Sequence, residues 1–355
     1  MDSSNKMQAA VLIKYNQVEW KTVPVPEIRS DQVLVRVGYA GICGSDQHIF
    51  SGDFHPRTRV PFIPGHEFAG TVAGVGERVK HFEVGDRVCI DPIIPCGQCA
   101  ACELEHYPAC TSLKLLGVDM DGGFGQFVAA DEHMVYKLDD RISERDASLI
   151  EVYSIGFHAC NRAGLKADDT VAIWGGGRIG HSIAQAARTR TANKIFIIDI
   201  LEKRLEIARQ YYHNVITINP DTQDPVKIIQ EHTHNRGVDV AFEAVGHAHE
   251  TRFAPHPVRA CVQSIHGAGT VCVLGLADDP APIVMKELIW REAKIVASRV
   301  SHGEFSEAIT HLGKGDLVPD ALVTTVMPAS DAQKAFNMLQ ENPDDYLKIV
   351  LDLNS

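Results

Sequence analysis

The sequence lacks the features that mark a membrane protein, a secreted protein or a nucleic-acid-binding protein. Its 355 residues contain no apolar run of about 18 or more, the length that a membrane helix needs. The N-terminal segment is polar and has no hydrophobic signal core, so a reducing, cytoplasmic setting is expected. Positive charge is scarce, since 34 Lys and Arg stand against 46 Asp and Glu, a formal net charge of -12. Nucleic acids and anionic membranes attract clustered positive charge, so neither is expected as a partner.

The composition is that of an ordinary globular protein, with 45% hydrophobic and 23% charged residues. The length exceeds that of most single domains and predicts two. In a reducing setting the nine cysteines are expected to be metal ligands or buried small residues rather than disulfides.

Short β-rich segments broken by Gly and Pro occupy residues 7–40 and 68–90. Val33, Val35 and Val37 alternate with other residues and would share one face of a half-buried strand. Many short strands with such turns predict a barrel-like β domain.

Two short motifs place potential metal ligands close together in the sequence. The first contains Cys43, and the second contains His66 and Glu67. A thiol, an imidazole and a carboxylate suit a borderline-soft dication, and three protein ligands leave a position open, as at a catalytic zinc. Ser45 and His48 follow the thiol, where a hydroxyl and an imidazole could pass a proton. Taken singly, such a Cys or His would more often be a packing residue.

Four cysteines then fall within fifteen residues, at positions that allow all of them to bind one ion: Cys96, Cys99, Cys102 and Cys110. Such a set can close around a tetrahedral zinc with no open position. Two disulfides are the alternative, and the absence of a secretory signal disfavours them. The predicted role is structural, because a short lobe without its own core needs a metal to stay folded.

A helix is predicted after Ser143, which fits an N-terminal cap before the apolar-periodic residues 147–163. Glu151 lies inside this segment among apolar residues. If it is buried, a nearby cation would have to offset its charge, and a solvated helix face is the alternative.

A glycine motif follows the predicted strand at residues 170–174. Gly175, Gly177 and Gly180 match G-x-G-x-x-G, and Asp199 lies 19 residues beyond the last glycine at the end of the next strand. Between a strand and a helix this pattern is typical of a dinucleotide site, where the backbone approaches a pyrophosphate at the helix N-terminus. The Asp199 carboxylate would accept hydrogen bonds from the ribose hydroxyls, and its charge would repel a 2′-phosphate. This favours NAD over NADP. A glycine-rich turn without a ligand is the alternative.

Further strand-like segments complete a predicted sheet of six strands. The six segments are residues 170–174, 194–199, 215–218, 239–243, 269–275 and 294–299. Two helices and a last strand at the C-terminus do not extend this array, and we assign them to the first domain.

Together these residues resemble the zinc-dependent medium-chain dehydrogenases, specifically the polyol (sorbitol-type) and threonine dehydrogenase branch. The resemblance covers essentially the whole chain. It is carried by the Cys43 and His66-Glu67 motifs, the four-cysteine lobe, Glu151, and the glycine motif with Asp199.

The resemblance implies an α/β protein of two domains. A GroES-like β-rich barrel would form the catalytic domain from residues 1–153 and 301–355, with its structural zinc lobe at about 92–112. A six-stranded parallel Rossmann sheet at 154–300 would bind NAD. Homodimers or homotetramers are usual in the family.

The resemblance also implies residue roles. Cys43, His66 and Glu67 would hold a catalytic zinc, and Glu151 would approach it directly or through water. The relay would run from Ser45 through the nicotinamide ribose to His48.

Less specific carry-overs concern the cofactor and the substrate. Arg178 and Ile179 complete the glycine turn, and Arg204 would pack at the adenosine ribose. Arg299 would contact substrate or the metal-bound water, and Phe50 is a candidate pocket residue.

The expected activity is therefore NAD-dependent oxidation of a secondary hydroxyl of a polyol or related polyhydroxylated small molecule to a ketone. A carboxylate as third ligand exchanges more readily than a thiolate and suits a vicinal diol. The alternatives are a β-hydroxy amino acid, a sugar acid or an aminocyclitol as substrate, or a non-catalytic NAD-binding relative. Intact ligands and relay residues argue against the last of these.

Overall fold

The structure, a computed structural model, describes residues 5–191, 193–246, 251–278 and 280–355. Within these ranges the chain forms two compact units. The first comprises the residues up to Glu151 together with Phe305–Lys314 and Val323–Ser355, and the second comprises Val152–Glu304 and Gly315–Leu322. Residues 152–153, 301–304 and 315–322, which the sequence assigned to the first domain, therefore belong to the second unit.

The strands in chain order are β1 (Lys6–Lys14), β2 (Gln17–Pro24), β3 (Gln32–Gly41), β4 (Glu67–Val75), β5 (Arg87–Ile90), β6 (Ile93–Ile94), β7 (Lys114–Leu115), β8 (Phe127–Asp131), β9 (Val135–Lys137), β10 (Val171–Trp174), β11 (Ile195–Ile198), β12 (Val215–Ile218), β13 (Val238–Glu243), β14 (Ile265–Val273), β15 (Lys294–Ala297), β16 (Val323–Pro328) and β17 (Lys348–Asp352).

The α-helices are α1 (Gly44–Ser51), α2 (Ala100–Glu103), α3 (Glu144–Ala147), α4 (Ile150–Ala163), α5 (Arg178–Arg190), α6 (Glu202–Tyr211), α7 (Pro225–His232), α8 (Pro257–Ser264), α9 (Met285–Arg291), α10 (Phe305–Lys314) and α11 (Ala332–Glu341). Within the described ranges, none of them has the length and apolarity that crossing a bilayer would require.

One sheet organises the first unit, in the order β16-β17-β3-β4-β5-β9, with β8 also paired to β3. All of its pairs are antiparallel except β16–β17. Val33, Val35 and Val37 of β3 are buried whereas Arg36 between them is exposed, as the alternation predicts. The predicted β-rich domain is confirmed.

The sheet of the second unit is parallel throughout, in the order β12-β11-β10-β13-β14-β15. Every residue of β10 and β11 is buried, as expected for strands with helices on both faces. This confirms the predicted six-stranded Rossmann sheet. The strand order reverses at β10, where a dinucleotide binds in such folds.

The predicted helix after Ser143 is correct at its start and wrong in its continuity. Ser143 Oγ accepts a hydrogen bond from the Asp146 amide at 3.1 Å, so the cap is confirmed. The helix then stops after Ala147 and α4 begins at Ile150. Ser148 Oγ donates to the Arg145 carbonyl at 2.7 Å, a local bond that competes with helix continuation.

Candidate active site, metal centres and cofactor site

Strand pairing brings the two ligand motifs of the first unit together. Gly41, at the end of β3, is paired with Glu67 at the start of β4. Cys43 lies two residues beyond Gly41 as the N-cap of α1, and His66 lies immediately before Glu67. One candidate ligand atom from each of Cys43, His66 and Glu67 lies within 4.8 Å of the others. The residues that the sequence proposed as metal ligands therefore form one cluster.

Asp46 orients two members of this cluster. Its carboxylate is fully buried, accepts the Cys43 amide at 2.8 Å through Oδ2, and lies 3.4 Å from His66 Nδ1 through Oδ1. Burial alone would lower the pKa of His66, but the charges of Asp46 and Cys43 outweigh it and raise that pKa well above its ordinary value. A carboxylate on the second ring nitrogen is the usual way to fix a metal-binding histidine.

Glu67 is fully buried, and its two carboxylate oxygens differ in their hydrogen bonding. Lys348 Nζ, also fully buried, donates to Oε2, whereas Oε1 accepts no hydrogen bond within the described chain. Burial opposes ionisation, but the charges of Lys348 and His66 lower the pKa of Glu67 below its ordinary value. An ionised, unsatisfied oxygen beside a thiol and an imidazole fits a dication, and this donor set suits zinc.

Glu151 is buried in the first turn of α4, so the alternative of a solvated helix face is wrong. Burial, followed by repulsion from Glu67, raises the pKa of Glu151 to about 8. The carboxyl group is therefore held neutral unless a cation joins the cluster.

The two relay candidates differ in exposure. Ser45 Oγ lies 3.3 Å from His66 Nε2, next to the ligand cluster. The His48 side chain is 54% exposed, so its imidazole can exchange protons with water. Its Nδ1 lies 2.9 Å from Asp53 Oδ2, which also accepts Ser51 Oγ at 2.8 Å. Sequence reasoning missed Asp53, although an acid five residues after His48, just past the end of α1, was a usable signal.

The four cysteines between β6 and β7 also converge, again with one sulfur from each within 4.8 Å of the others. The Cys99 sulfur lies 3.6 Å from that of Cys102, and all four thiols are free rather than paired in disulfides. Backbone amides of Thr111 and Cys102 donate to Cys99 and lower its pKa to about 5. Four sulfurs with backbone donors match a closed structural zinc site.

In the second unit the glycine motif forms the turn between β10 and α5. Gly175 has φ +103°, which favours glycine, and Gly177 is the N-cap of α5. A Cβ on Gly180 would lie 1.7 Å from the Gly175 carbonyl oxygen, so only glycine allows this close approach of helix and turn. Arg178 and Ile179 lie in the first turn of α5, and the N-terminus of a helix after such a turn is suited to bind a phosphate group.

Asp199 follows β11 and braces the same turn. Its Oδ2 accepts the Gly176 amide at 2.7 Å and its Oδ1 accepts the Leu201 amide at 2.8 Å. Arg204 Nη1 lies 3.3 Å from Oδ2. The glycine motif thus meets Asp199 and Arg204 at the carboxyl ends of the inner strands β10 and β11.

Comparison with known proteins agrees with this geometry in both units. Residues 29–140 match the alcohol dehydrogenase GroES-like domain, and residues 179–314 match the zinc-binding dehydrogenase family. Sorbitol dehydrogenase of Bacillus subtilis (strain 168) is 32% identical over 349 residues, 97% of each chain. The chain belongs to the zinc-dependent medium-chain dehydrogenase family. It is an alcohol dehydrogenase of the polyol branch, with zinc and NAD(H) as cofactors.

Two further similarities extend the comparison of this dehydrogenase. D-arabitol-phosphate dehydrogenase of Enterococcus avium is 31% identical over 345 residues, 96% of this chain and 95% of the relative. A crystal structure of an alcohol dehydrogenase (rspB) from E. coli CFT073, complexed with NADH, superposes with a TM-score of 0.88 and 26% identity. That comparison covers 99% of this chain and 100% of the other.

The two predicted substrate residues of the dehydrogenase, Phe50 and Arg299, lie in different units. Phe50 is 1% exposed and stacks on Phe336 with ring centroids 4.7 Å apart, within the core of the first unit. Phe50 is therefore a packing residue of this core, and its role as a substrate contact stays a prediction. Arg299 is exposed, two residues after β15 in the second unit, and its substrate role stays a prediction.

Proposed function

We propose that this dehydrogenase oxidises a secondary hydroxyl group of a polyol, or of a related polyhydroxylated compound, to a ketone with NAD as acceptor. The observation that carries the proposal is the cluster of Cys43, His66 and Glu67, in which the third donor is a carboxylate rather than a second thiolate. A carboxylate that already shares its charge with Lys348 is a weak, exchangeable ligand, which suits a substrate with two neighbouring oxygens. The similarity to sorbitol and arabitol-phosphate dehydrogenases supports the same substrate class.

The metal ligands proposed for the reaction are Cys43, His66 and Glu67. Glu151 interacts electrostatically with Glu67 and so can influence the charge of the site. Bound zinc supplies a Lewis acid for a hydroxyl oxygen, and bound NAD supplies the hydride acceptor. Asp46 would keep His66 oriented, because its Oδ2 is fixed by the Cys43 amide and its Oδ1 lies 3.4 Å from His66 Nδ1.

The proton released from the substrate would leave through Ser45 and His48. Ser45 is beside the ligand cluster and His48 is open to water, so the two residues provide an inner and an outer station. Asp53 holds Nδ1 of His48 and so favours a ring orientation with Nε2 available for the proton. This ordering of inner and outer groups is what general acid–base transfer to solvent requires.

NAD would bind with its pyrophosphate at the N-terminus of α5 and its adenosine ribose at Asp199 and Arg204. The carboxylate of Asp199 is placed by two backbone amides, and its negative charge disfavours a 2′-phosphate at the same position. We therefore infer a preference for NAD over NADP.

We also infer that the dehydrogenase forms a homodimer or homotetramer. In the second unit, β15 is an edge strand, and large apolar side chains are exposed on it and in the segment that precedes it in the sequence: Leu276, Met285, Ile289, Trp290 and Ile295. An uncovered edge with such residues favours association with a second copy. A reducing, cytoplasmic location is the matching inference for a chain whose four-cysteine lobe needs free thiols.

The test is NADH formation from a panel of sorbitol, xylitol, galactitol, aldonates, inositols, threonine and simple primary alcohols. A polyol should exceed the primary alcohols about tenfold or more in kcat/KM. Cys43→Ser should abolish this activity, whereas Cys89→Ala, at a buried cysteine of the same unit outside the ligand clusters, should retain it. A best substrate among threonine, aldonates or inositols would establish one of the alternative specificities, and turnover of none would point to a non-catalytic relative.

A further inference from the structure

Lys348 is an unusual residue for its position, because a lysine is rarely buried completely. It begins β17, has no exposed surface, and donates from Nζ to Glu67 Oε2, which is equally buried. The two residues are 281 positions apart and meet because β17, β3 and β4 are neighbours in the sheet. Because the Lys348 ammonium is fully buried, it cannot leave Glu67 to be hydrated by bulk water without unpairing two buried charges.

Gly41 leaves the space that this pair occupies. It lies on β3, paired to Val350 of β17 on one side and to Glu67 of β4 on the other. A Cβ at this position would lie 2.5 Å from Glu67 Oε2 and 3.5 Å from Lys348 Cδ. A side chain at Gly41 would therefore push the carboxylate away from the ammonium, and the glycine is a condition of the contact.

The contact makes the two oxygens of Glu67 unequal. Lys348 engages Oε2, whereas Oε1 accepts no hydrogen bond within the described residues. A Glu67 oxygen lies within 4.8 Å of a ligand atom of Cys43 and of His66. A metal ion held by these donors would share the carboxylate with a cation that cannot leave.

We propose that Lys348 is a positioning residue that limits the charge Glu67 gives to the metal and so keeps this third ligand exchangeable. The inference rests on the metal site of the proposed function. The ammonium acts in two ways, since it withdraws negative charge from the carboxylate and repels a dication held by the same group. Changing the partner of a metal ligand shifts metal affinity by about 10- to 100-fold, and here its removal is expected to strengthen binding.

The experiment measures zinc release from the purified, zinc-loaded protein to a chromogenic chelator in excess. Two sites would release zinc, and the phase that is missing in Cys43→Ser identifies the catalytic one. Lys348→Met should slow that phase by about tenfold or more, whereas Lys348→Arg, which keeps the charge, should stay within about threefold of wild type. In a Glu67→Gln background, Lys348→Met should change the rate less than about threefold, because the ligand through which it acts is altered.

Three results would overturn the proposal. These are a Lys348→Met rate equal to or faster than wild type, an equal slowing in the Glu67→Gln background, or a Lys348→Arg rate as slow as that of Lys348→Met. If Lys348→Met does not fold, Gly41→Ala takes its place, since it separates the pair while keeping both charges. Slower release from Gly41→Ala supports the proposal and unchanged or faster release overturns it.

The controls separate this inference from the proposed function. If wild type and Cys43→Ser show the same phases of zinc release, the proposed catalytic metal site is wrong. If that phase is present but the Lys348 variants leave it unchanged, only the role of Lys348 fails.

Discussion

Replacing Asp199 by Asn changes the cofactor turn without changing the size of the side chain. In the native structure the two carboxylate oxygens accept the Gly176 amide at 2.7 Å and the Leu201 amide at 2.8 Å. Asparagine offers one oxygen and one NH2 group, so only one of these backbone donors keeps an acceptor. The Asp199 side chain is 5% exposed, so water cannot easily accept a hydrogen bond from the other backbone donor.

Leaving a buried donor unsatisfied costs about 1–3 kcal/mol, or about 5- to 150-fold in an equilibrium constant. Because the affected donors belong to the turn proposed to bind the cofactor, we expect the Kd for NADH to rise about tenfold or more. For NADPH a second effect opposes this loss of affinity. The Asp199 carboxylate and the 2′-phosphate, at about 4 Å and an effective dielectric of about 20, would repel by about 4 kcal/mol, and Asp199→Asn removes this repulsion. The ratio of the Kd for NADPH to the Kd for NADH should therefore fall by a larger factor than the factor by which the Kd for NADH rises.

The assay is a titration of each reduced coenzyme followed by its fluorescence, at one ionic strength. Asp221→Asn serves as the matched control, because Asp221 is exposed in the same unit and lies outside the turn. An Asp199→Asn protein that binds NADH within about twofold of wild type, or that keeps the full discrimination against NADPH, would refute the reasoning.

Two further predictions concern stability and metal content. Glu304→Gln should lower the free energy of unfolding by about 1–3 kcal/mol at neutral pH, because Glu304 is buried and accepts His158 Nδ1 at 2.9 Å. Burial opposes its ionisation, but hydrogen bonds from His158, Asn161 and the His302 amide lower the pKa of Glu304 to about 2. The stabilisation is complete above the ordinary glutamate value of 4.5 and is lost as pH falls towards 2, so urea unfolding of the two proteins should converge over that range. Cys110→Ser should remove about one zinc per chain, measured by atomic emission, and make the lobe at 92–112 sensitive to protease. Unchanged metal content would contradict the closed site.

Sequence reasoning was strongest where the physical determinants are local. The glycine turn is specified within a strand–turn–helix segment, since Gly175 needs a positive φ and Gly180 needs the absence of a Cβ. The inner strands β10 and β11 of the parallel sheet were recognisable because each is a short apolar run buried on both faces. Predictions were weaker for side chains whose surroundings come from distant parts of the chain, such as Phe50, which stacks on Phe336 in the core of the first unit.

By itself, the sequence determined which groups could bind a metal and where a dinucleotide could lie, because donor types and glycine spacing are properties of short segments. It also determined that Cys96 to Cys110 could enclose one ion, since the lobe is only fifteen residues long. Only the tertiary structure decided that Glu67 meets Lys348 across Gly41, and that His158 meets Glu304. These contacts join residues that are more than a hundred positions apart. Their chemistry follows from sheet order and packing, which no local pattern specifies.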